Sequence, residues 1–258
     1  MKNKKPLVFI DLDDTIFKTK RKFSDTINIK PVAYGKDGSP ISYQGPEHEA
    51  LTAWLFETTE VIPVTTRSHS AYSRVSIKFE HGGICSNGGI LLNSEGHSDP
   101  QWDNYIKNTV GPLDSLFSEI AEKIKINKSK TSVSIRENLI SHLDVKHYIT
   151  IKVNSTESHE VTDIDAIKAE FYLKELIKSI ELPHSFTFQI NGNNLAIIPH
   201  CLTKKAAMIE WINKNKEYNQ DRLIIGIGDS LSDLGFMKTC HFWMTPAIGQ
   251  ISRTLPHV

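Results

Sequence analysis

Three apolar runs along the chain stop abruptly at polar residues. They are Leu7-Val8-Phe9-Ile10 before Asp11, Val61-Ile62-Pro63-Val64 before Thr65, and Leu223-Ile224-Ile225-Gly226-Ile227 before Gly228-Asp229. Continuous apolar runs of this length suit strands of a parallel sheet buried on both faces. Around them the apolar positions follow the helical period. Pro46 to Thr58 carries Leu51, Trp54 and Leu55 on one face, Ser68 is placed to cap a helix running towards Phe79, and Lys204 to Lys214 spaces Met208, Ile209, Trp211 and Ile212 helically. Strands alternating with helices predict an α/β layered core.

From about Asn93 to Pro199 the pattern changes. An amphipathic helix is predicted near Leu113 to Ile124, then strand-like stretches at Ser132-Val133-Ser134-Ile135 and Tyr148 to Val153. A second helix would place Ile164, Ile167, Phe171, Leu176 and Ile180 along one side. Two strands follow, Phe186 to Ile190 and Leu195 to Ile198, joined across Asn191-Gly192-Asn193, a hairpin signal. This order predicts an α+β unit with an antiparallel meander, inserted between the second and third core strands. A shorter hairpin, Val32-Ala33-Tyr34 with Ile41-Ser42-Tyr43, is either a flap beside the first carboxylates or a surface loop.

Lys plus Arg equals Asp plus Glu, 30 against 30 in 258 residues, so no overall field draws the protein to nucleic acid or to an anionic membrane. The basic start, Met1 to Pro6, is followed by only a short apolar stretch that ends at Asp11, which is too little for a secretion signal. Nothing approaches the roughly 20 apolar residues of a membrane-spanning helix. Cys85, Cys201 and Cys240 give no disulfide framework, and their neighbours His81, His200 and His241 lack the paired spacing of a zinc site, so inert thiols are expected. A soluble cytoplasmic protein is the expectation, with no nucleic-acid and no membrane partner.

The polar residues that end the runs suggest phosphoryl transfer, which needs a nucleophile, charge neutralisation and a proton source. In Asp11-Leu12-Asp13-Asp14-Thr15, Asp11 is placed to attack phosphorus and Asp13 to protonate the leaving oxygen. Thr65 precedes a helix whose amides could receive an anion, Lys204 supplies positive charge, and Asp11 with Asp229 and one carbonyl would suit magnesium. Each residue has a plainer role available: an acidic turn, a helix cap or a solvated lysine. Taken together, four separate element ends would have to imitate one mechanism in order.

These segments resemble the four motifs of the haloacid dehalogenase superfamily: Asp11-Leu12-Asp13-Asp14-Thr15, Val64-Thr65-Thr66-Arg67, Lys204 with Lys205-Ala206-Ala207, and Gly228-Asp229-Ser230-Leu231-Ser232-Asp233. The insert between the second and third motifs is similar to the large C2 cap of sugar phosphatases and Cof-type phosphatases. Ile84 to Ile90 resembles the stretch leading into that cap, and Leu195 to Pro199 the strand leaving it. The resemblance implies a Rossmann-like parallel-sheet core, residues 1–92 and 199–258, with an inserted α+β cap domain, residues 93–198. It implies that Asp11 is the nucleophile, Asp13 the acid/base, Thr65 and Lys204 the phosphoryl clamps, and Asp229 a magnesium ligand beside Asp11 and the Asp13 carbonyl. Asp233 would support the metal or Lys204. Thr66 and Lys205 depart from the pattern, standing where Cof-type members carry glycine, and the end from Pro246 to Val258 is short.

The implied activity is magnesium-dependent hydrolysis of a small phosphorylated metabolite. A phosphomutase and a phosphate-binding module without turnover are the alternatives. Dehalogenation is disfavoured because Asp13 supplies a proton that a carbon-halogen bond does not need. In the cap, Arg136, His142, His147 and His184 are candidates for substrate contact, and Trp102 is expected to serve packing.

Overall fold

The computed structural model describes residues 4–129, 133–153 and 163–254, without the side chains of 163–166 and 218. It divides into two compact units, one of residues 1–102 and 203–258, the other of 103–202.

The first unit is built on a parallel sheet in the order Phe242–Met244, Ile224–Ile227, Leu7–Ile10, Glu60–Pro63. Leu7, Val8, Phe9 and Ile10 are fully buried, as a central strand covered on both faces requires. Each such side chain contributes about 1.5–3 kcal/mol by leaving water. Ile10 lies opposite both Pro63 and Ile227, so Asp11, Val64-Thr65 and Gly228-Asp229 emerge together at the carboxyl end of the sheet. Open α/β sheets bind ligands at that end.

The helices Pro46–Thr58 and Lys204–Lys214 form as the pattern predicts, with two local differences. Leu51 and Leu55 pack inward but Trp54 is half exposed, because the buried stripe follows 51 and 55 and leaves 54 at its margin. Ser68 does cap a helix, accepting from the Ala71 amide, yet that helix spans only His69–Tyr72. Beyond it Val75, Ile77 and Phe79 enter the core at a spacing of two, while the Ser76 amide bonds the Val32 carbonyl. This is the period of extended chain, not of a helix. Strand Phe242–Met244, all three residues exposed, was not legible as a strand because no buried face marks it. The hairpin is present as Lys30–Tyr34 paired with Pro40–Gln44.

The second unit carries an antiparallel sheet in the order Ile135–His142, Val145–Val153, Asn194–Pro199, Phe186–Asn191. Helices Asp114–Ser129 and Asp163–Ile180 cover it, with Phe117 meeting Phe186 edge to face at 5.0 Å. The expected strand residue Ser132 lies outside the described residues. In the second helix Leu173, Leu176, Ile177 and Ile180 face the core, whereas Ile167 and Phe171 are about two-thirds exposed. The predicted single apolar side is therefore two, since a stripe through 173, 176, 177 and 180 points away from 167 and 171.

Val145, His147, Ile149, Ile151 and Val153 alternate onto the buried face of their strand, which carries His147 into the interior. Among the described residues its Nδ1 has no hydrogen-bond partner. Burial, with His142 facing it at 6.3 Å between rings, pushes His147 down to about 4. The unfolded chain then binds the proton first, so stability present above about pH 6.5 is lost as pH falls towards 4. At about 1.4 kcal/mol per pH unit the loss approaches about 3 kcal/mol. The buried carboxyls of Asp229 and Asp11, both raised, contribute in the opposite sense over the same range, so the His147 share is the difference between wild type and His147→Phe in urea unfolding at pH 7 and pH 5: wild type should lose more, or gain less, stability than the variant. An equal slope in both proteins would remove His147 as the cause.

Candidate active site

The Asp11 amide bonds the Ile227 carbonyl at 2.8 Å, extending the ladder one step past the strand and turning the side chain into a buried cluster. Lys204 Nζ donates to Asp11 Oδ1 at 2.6 Å and to Asp233 Oδ1 at 2.7 Å, and all three side chains are almost wholly buried. Thr15 Oγ1 reaches Asp11 Oδ2 at 3.4 Å.

Lys204 occupies the first turn of its helix, where Thr203 caps the Ala206 amide. Gly88, at φ +95°, makes that placement possible. A Cβ there would lie 2.3 Å from the Thr203 carbonyl oxygen, so only glycine lets the two backbones meet.

Asp233 accepts from Lys204 through Oδ1 and from the Ser230 amide and hydroxyl through Oδ2, at 3.0 and 2.8 Å. Asp233 thus bonds Lys204 directly while lying beside Asp11 and Asp229. Asp229 sits in the same loop, braced by the end of the chain: the Ile251 amide donates to its carbonyl at 2.8 Å, and Gln250 Oε1 accepts from the Leu231 amide at 3.0 Å.

The electrostatics are those of a surplus of negative charge. Burial pushes Asp229 up to about 7, with Asp233 and Asp14 adding to it and Lys204 opposing. Burial also raises Asp11 well above the carboxylate range; Lys204 offsets part of this, and Asp233 and Asp229 add to it. Lys204 is desolvated, yet Asp11 and Asp233 hold it firmly as an ammonium. Ligand oxygens of Asp11, Asp229 and Asp233 lie within 4.8 Å of one another, and among the described residues they form the one such group. Three buried carboxylates against one ammonium form an all-oxygen set that suits a hard divalent cation.

The Asp13 carboxylate bonds none of these three side chains and instead forms a fork with Arg67. Arg67 Nε donates to Asp13 Oδ2 and Nη2 to Asp13 Oδ1, both at 2.7 Å. Thr65 is fully buried and its Oγ1 accepts from the Arg67 amide at 3.0 Å. The helix that follows starts only at His69, behind its own Ser68 cap, and the amide that bonds Thr65 from elsewhere is that of Asn87, which donates to the Thr65 carbonyl at 3.1 Å. Arg67 ends the second motif, and its place there assigns it no role by sequence alone. A pair separated by 54 residues leaves no local signal, and the shape match of guanidinium to carboxylate is the only hint. Lys22 pairs with Asp14 nearby.

Sheet order, carboxyl-end site and inserted unit make this a parallel-sheet α/β fold interrupted by an α+β unit, a fold that solved phosphatases share. No family model matches the sequence, and no curated protein does. Among solved structures it is similar to the sucrose-phosphatase from Synechocystis in complex with sucrose and phosphate, at 15% identity over 93% of this chain and 82% of that chain, TM-score 0.51. It is also similar to the C-terminal domain of trehalose-6-phosphate phosphatase from C. albicans, at 12% identity over 92% and 74%, TM-score 0.58. A third is the IMP-bound IMP-nucleotidase from Plasmodium falciparum, at 12% identity over 96% of this chain and 64% of that one, TM-score 0.55. At such identities the likeness is one of fold. No helix among the described residues is long and apolar enough to cross a membrane.

Proposed function

We propose that this protein hydrolyses phosphate monoesters of small metabolites through an aspartyl-phosphate intermediate. The observation that carries the reading is the buried juxtaposition of Asp11 with Lys204 and Asp229 at the carboxyl end of the parallel sheet. A solvated acidic turn would not hold a lysine between two carboxylates.

In the first half-reaction an Asp11 carboxylate oxygen bonds phosphorus while the bond to the leaving oxygen breaks and a proton passes from Asp13 to that oxygen. In the second, Asp13 takes a proton from water as the water oxygen bonds phosphorus, and the Asp11 carboxylate is released with inorganic phosphate. Lys204 and the Thr65 hydroxyl donate to the phosphoryl oxygens. Asp11, Asp229 and the Asp13 backbone carbonyl would hold Mg²⁺, with Asp233 supporting from behind Lys204. The ion supplies charge neutralisation at the phosphoryl group.

The sucrose-phosphatase and trehalose-6-phosphate phosphatase neighbours favour a sugar phosphate as substrate. We assign substrate choice to the inserted unit, residues 93–198 by sequence. The test is phosphate release from p-nitrophenyl phosphate and from a panel of sugar phosphates, polyol phosphates and nucleotides, with Mg²⁺ and with excess chelator. Turnover should fall at least about 100-fold on chelation, in line with the several kcal/mol a metal contributes to such transition states. A wild type inert across the whole panel overturns the phosphatase reading in favour of a phosphate-binding module.

A further inference from the structure

We infer that Arg67 is the positioning residue of the proton-shuttling carboxylate: it aims Asp13 at the leaving oxygen. This deepens the phosphate-ester reading and rests on it.

The geometry is a fork against a fork, two parallel bonds of 2.7 Å from Nε and Nη2 to the two oxygens of Asp13. Such a pair fixes the plane of a carboxylate as well as its place, which a single bond cannot do. A carboxylate offers about four lone-pair sites, and the fork uses one on each oxygen. The other two are left for a proton.

Exposure sets the direction. The Asp13 side chain is 43% exposed and that of Arg67 only 10%, so the guanidinium grips from the protein side and the open side of the carboxylate faces out. Among the described residues no other side chain bonds the Asp13 carboxylate. A half-exposed aspartate with no such partner would sample several rotamers, and misplacement by even about 1 Å costs up to about 10²-fold in rate.

Arg67 is itself held from several sides. Its Nη2 also donates to Ser42 Oγ at 3.2 Å, its guanidinium lies 5.0 Å from the centre of the Phe17 ring, and its amide donates to Thr65 Oγ1. Ser42 is buried within strand Pro40–Gln44, so the hairpin after the first motif is tied to the proton shuttle through this arginine.

The consequence is a dependence on the leaving group. A p-nitrophenolate departs without needing a proton, whereas an alkoxide does not. The measurement is kcat/KM for p-nitrophenyl phosphate and for propyl phosphate with the magnesium-loaded protein, since kcat/KM reports only the steps through departure of the first leaving group. Arg67→Gln should lower the propyl value about 100-fold, the lower end of what general acid catalysis contributes, and the aryl value less than about fivefold. Arg67→Lys should recover part of the propyl loss, as a point charge without the fork.

Equal losses on both esters would make Arg67 a phosphoryl binder or a structural prop and overturn the assignment, as would no loss at all. Should Arg67→Gln not fold, the ratio of the two values in Arg67→Lys and Ser42→Ala decides: it must fall in both. Wild-type inertness on both esters would strike the phosphatase reading and this one with it, whereas an active Arg67→Gln with an unchanged ratio strikes this one alone.

Discussion

Asp11→Asn should lower turnover of p-nitrophenyl phosphate at least about 10⁴-fold, the scale on which loss of a nucleophile registers, while leaving thermal unfolding within about 2 °C of wild type or raising it. The two halves of this expectation have separate causes. Asparagine keeps the shape of the side chain but cannot form a stable acyl phosphate in its place. For stability, the substitution removes one of three carboxylates crowded around a single ammonium, and Lys204 keeps Asp233 at 2.7 Å. Burial and two like charges already hold the Asp11 carboxyl out of the ordinary range, so little is lost when its charge goes. Equal turnover by wild type and variant would sink the nucleophile assignment, and a large fall in melting temperature would mean that Asp11 is mainly structural.

Lys204→Met should behave in the opposite way. Its ammonium is the counter-charge that two buried carboxylates bond directly, and methionine fills the volume without supplying any charge. Breaking a buried ion pair from one side costs about 3–5 kcal/mol because the partner charges stay behind. In a chain of this size that is a fall in melting temperature on the order of 10 °C. Activity should drop as well, by at least about 10²–10³-fold, through loss of charge stabilisation at the phosphoryl group. Adding Asp11→Asn to Lys204→Met should return part of the lost stability, since one stranded carboxylate is then neutral. Differential scanning calorimetry of the two single variants and the double variant checks this, and simple additivity would refute the coupling.

Much of this arrangement was legible in the chain, for identifiable reasons. The strand through Leu7–Ile10 is central, and burial on both faces forces the uninterrupted apolar run that reveals it. The polar residues at the ends of such runs are then collected by the register alone, which is why Asp11, Thr65 and Asp229 could be grouped before any contact was known. The misreadings lie where periodicity is weak or shared. Val75, Ile77 and Phe79 suit a strand-like period that a helix prediction overran, and Phe242–Met244 at the sheet edge has no buried face to signal it. The Asp13–Arg67 fork and the bracing of Asp229 by Ile251 are long-range pairings, and nothing in local sequence encodes a partner so far away.

The close approach of Gly88 to Thr203 also bears on how the chain accommodates its insert. Trp102, the last residue of the first unit before the insert, donates its indole N–H to the Gly88 carbonyl at 2.9 Å, and Thr203, the first residue after it, lies against the same glycine. Both ends of a segment of about a hundred residues are therefore pinned at one point of the core. Closing a loop costs more with length only slowly, about 0.6 kcal/mol per doubling. A core that supplies its own docking port for the two ends depends little on the length strung between them, so the core and the segment it carries can change in size independently.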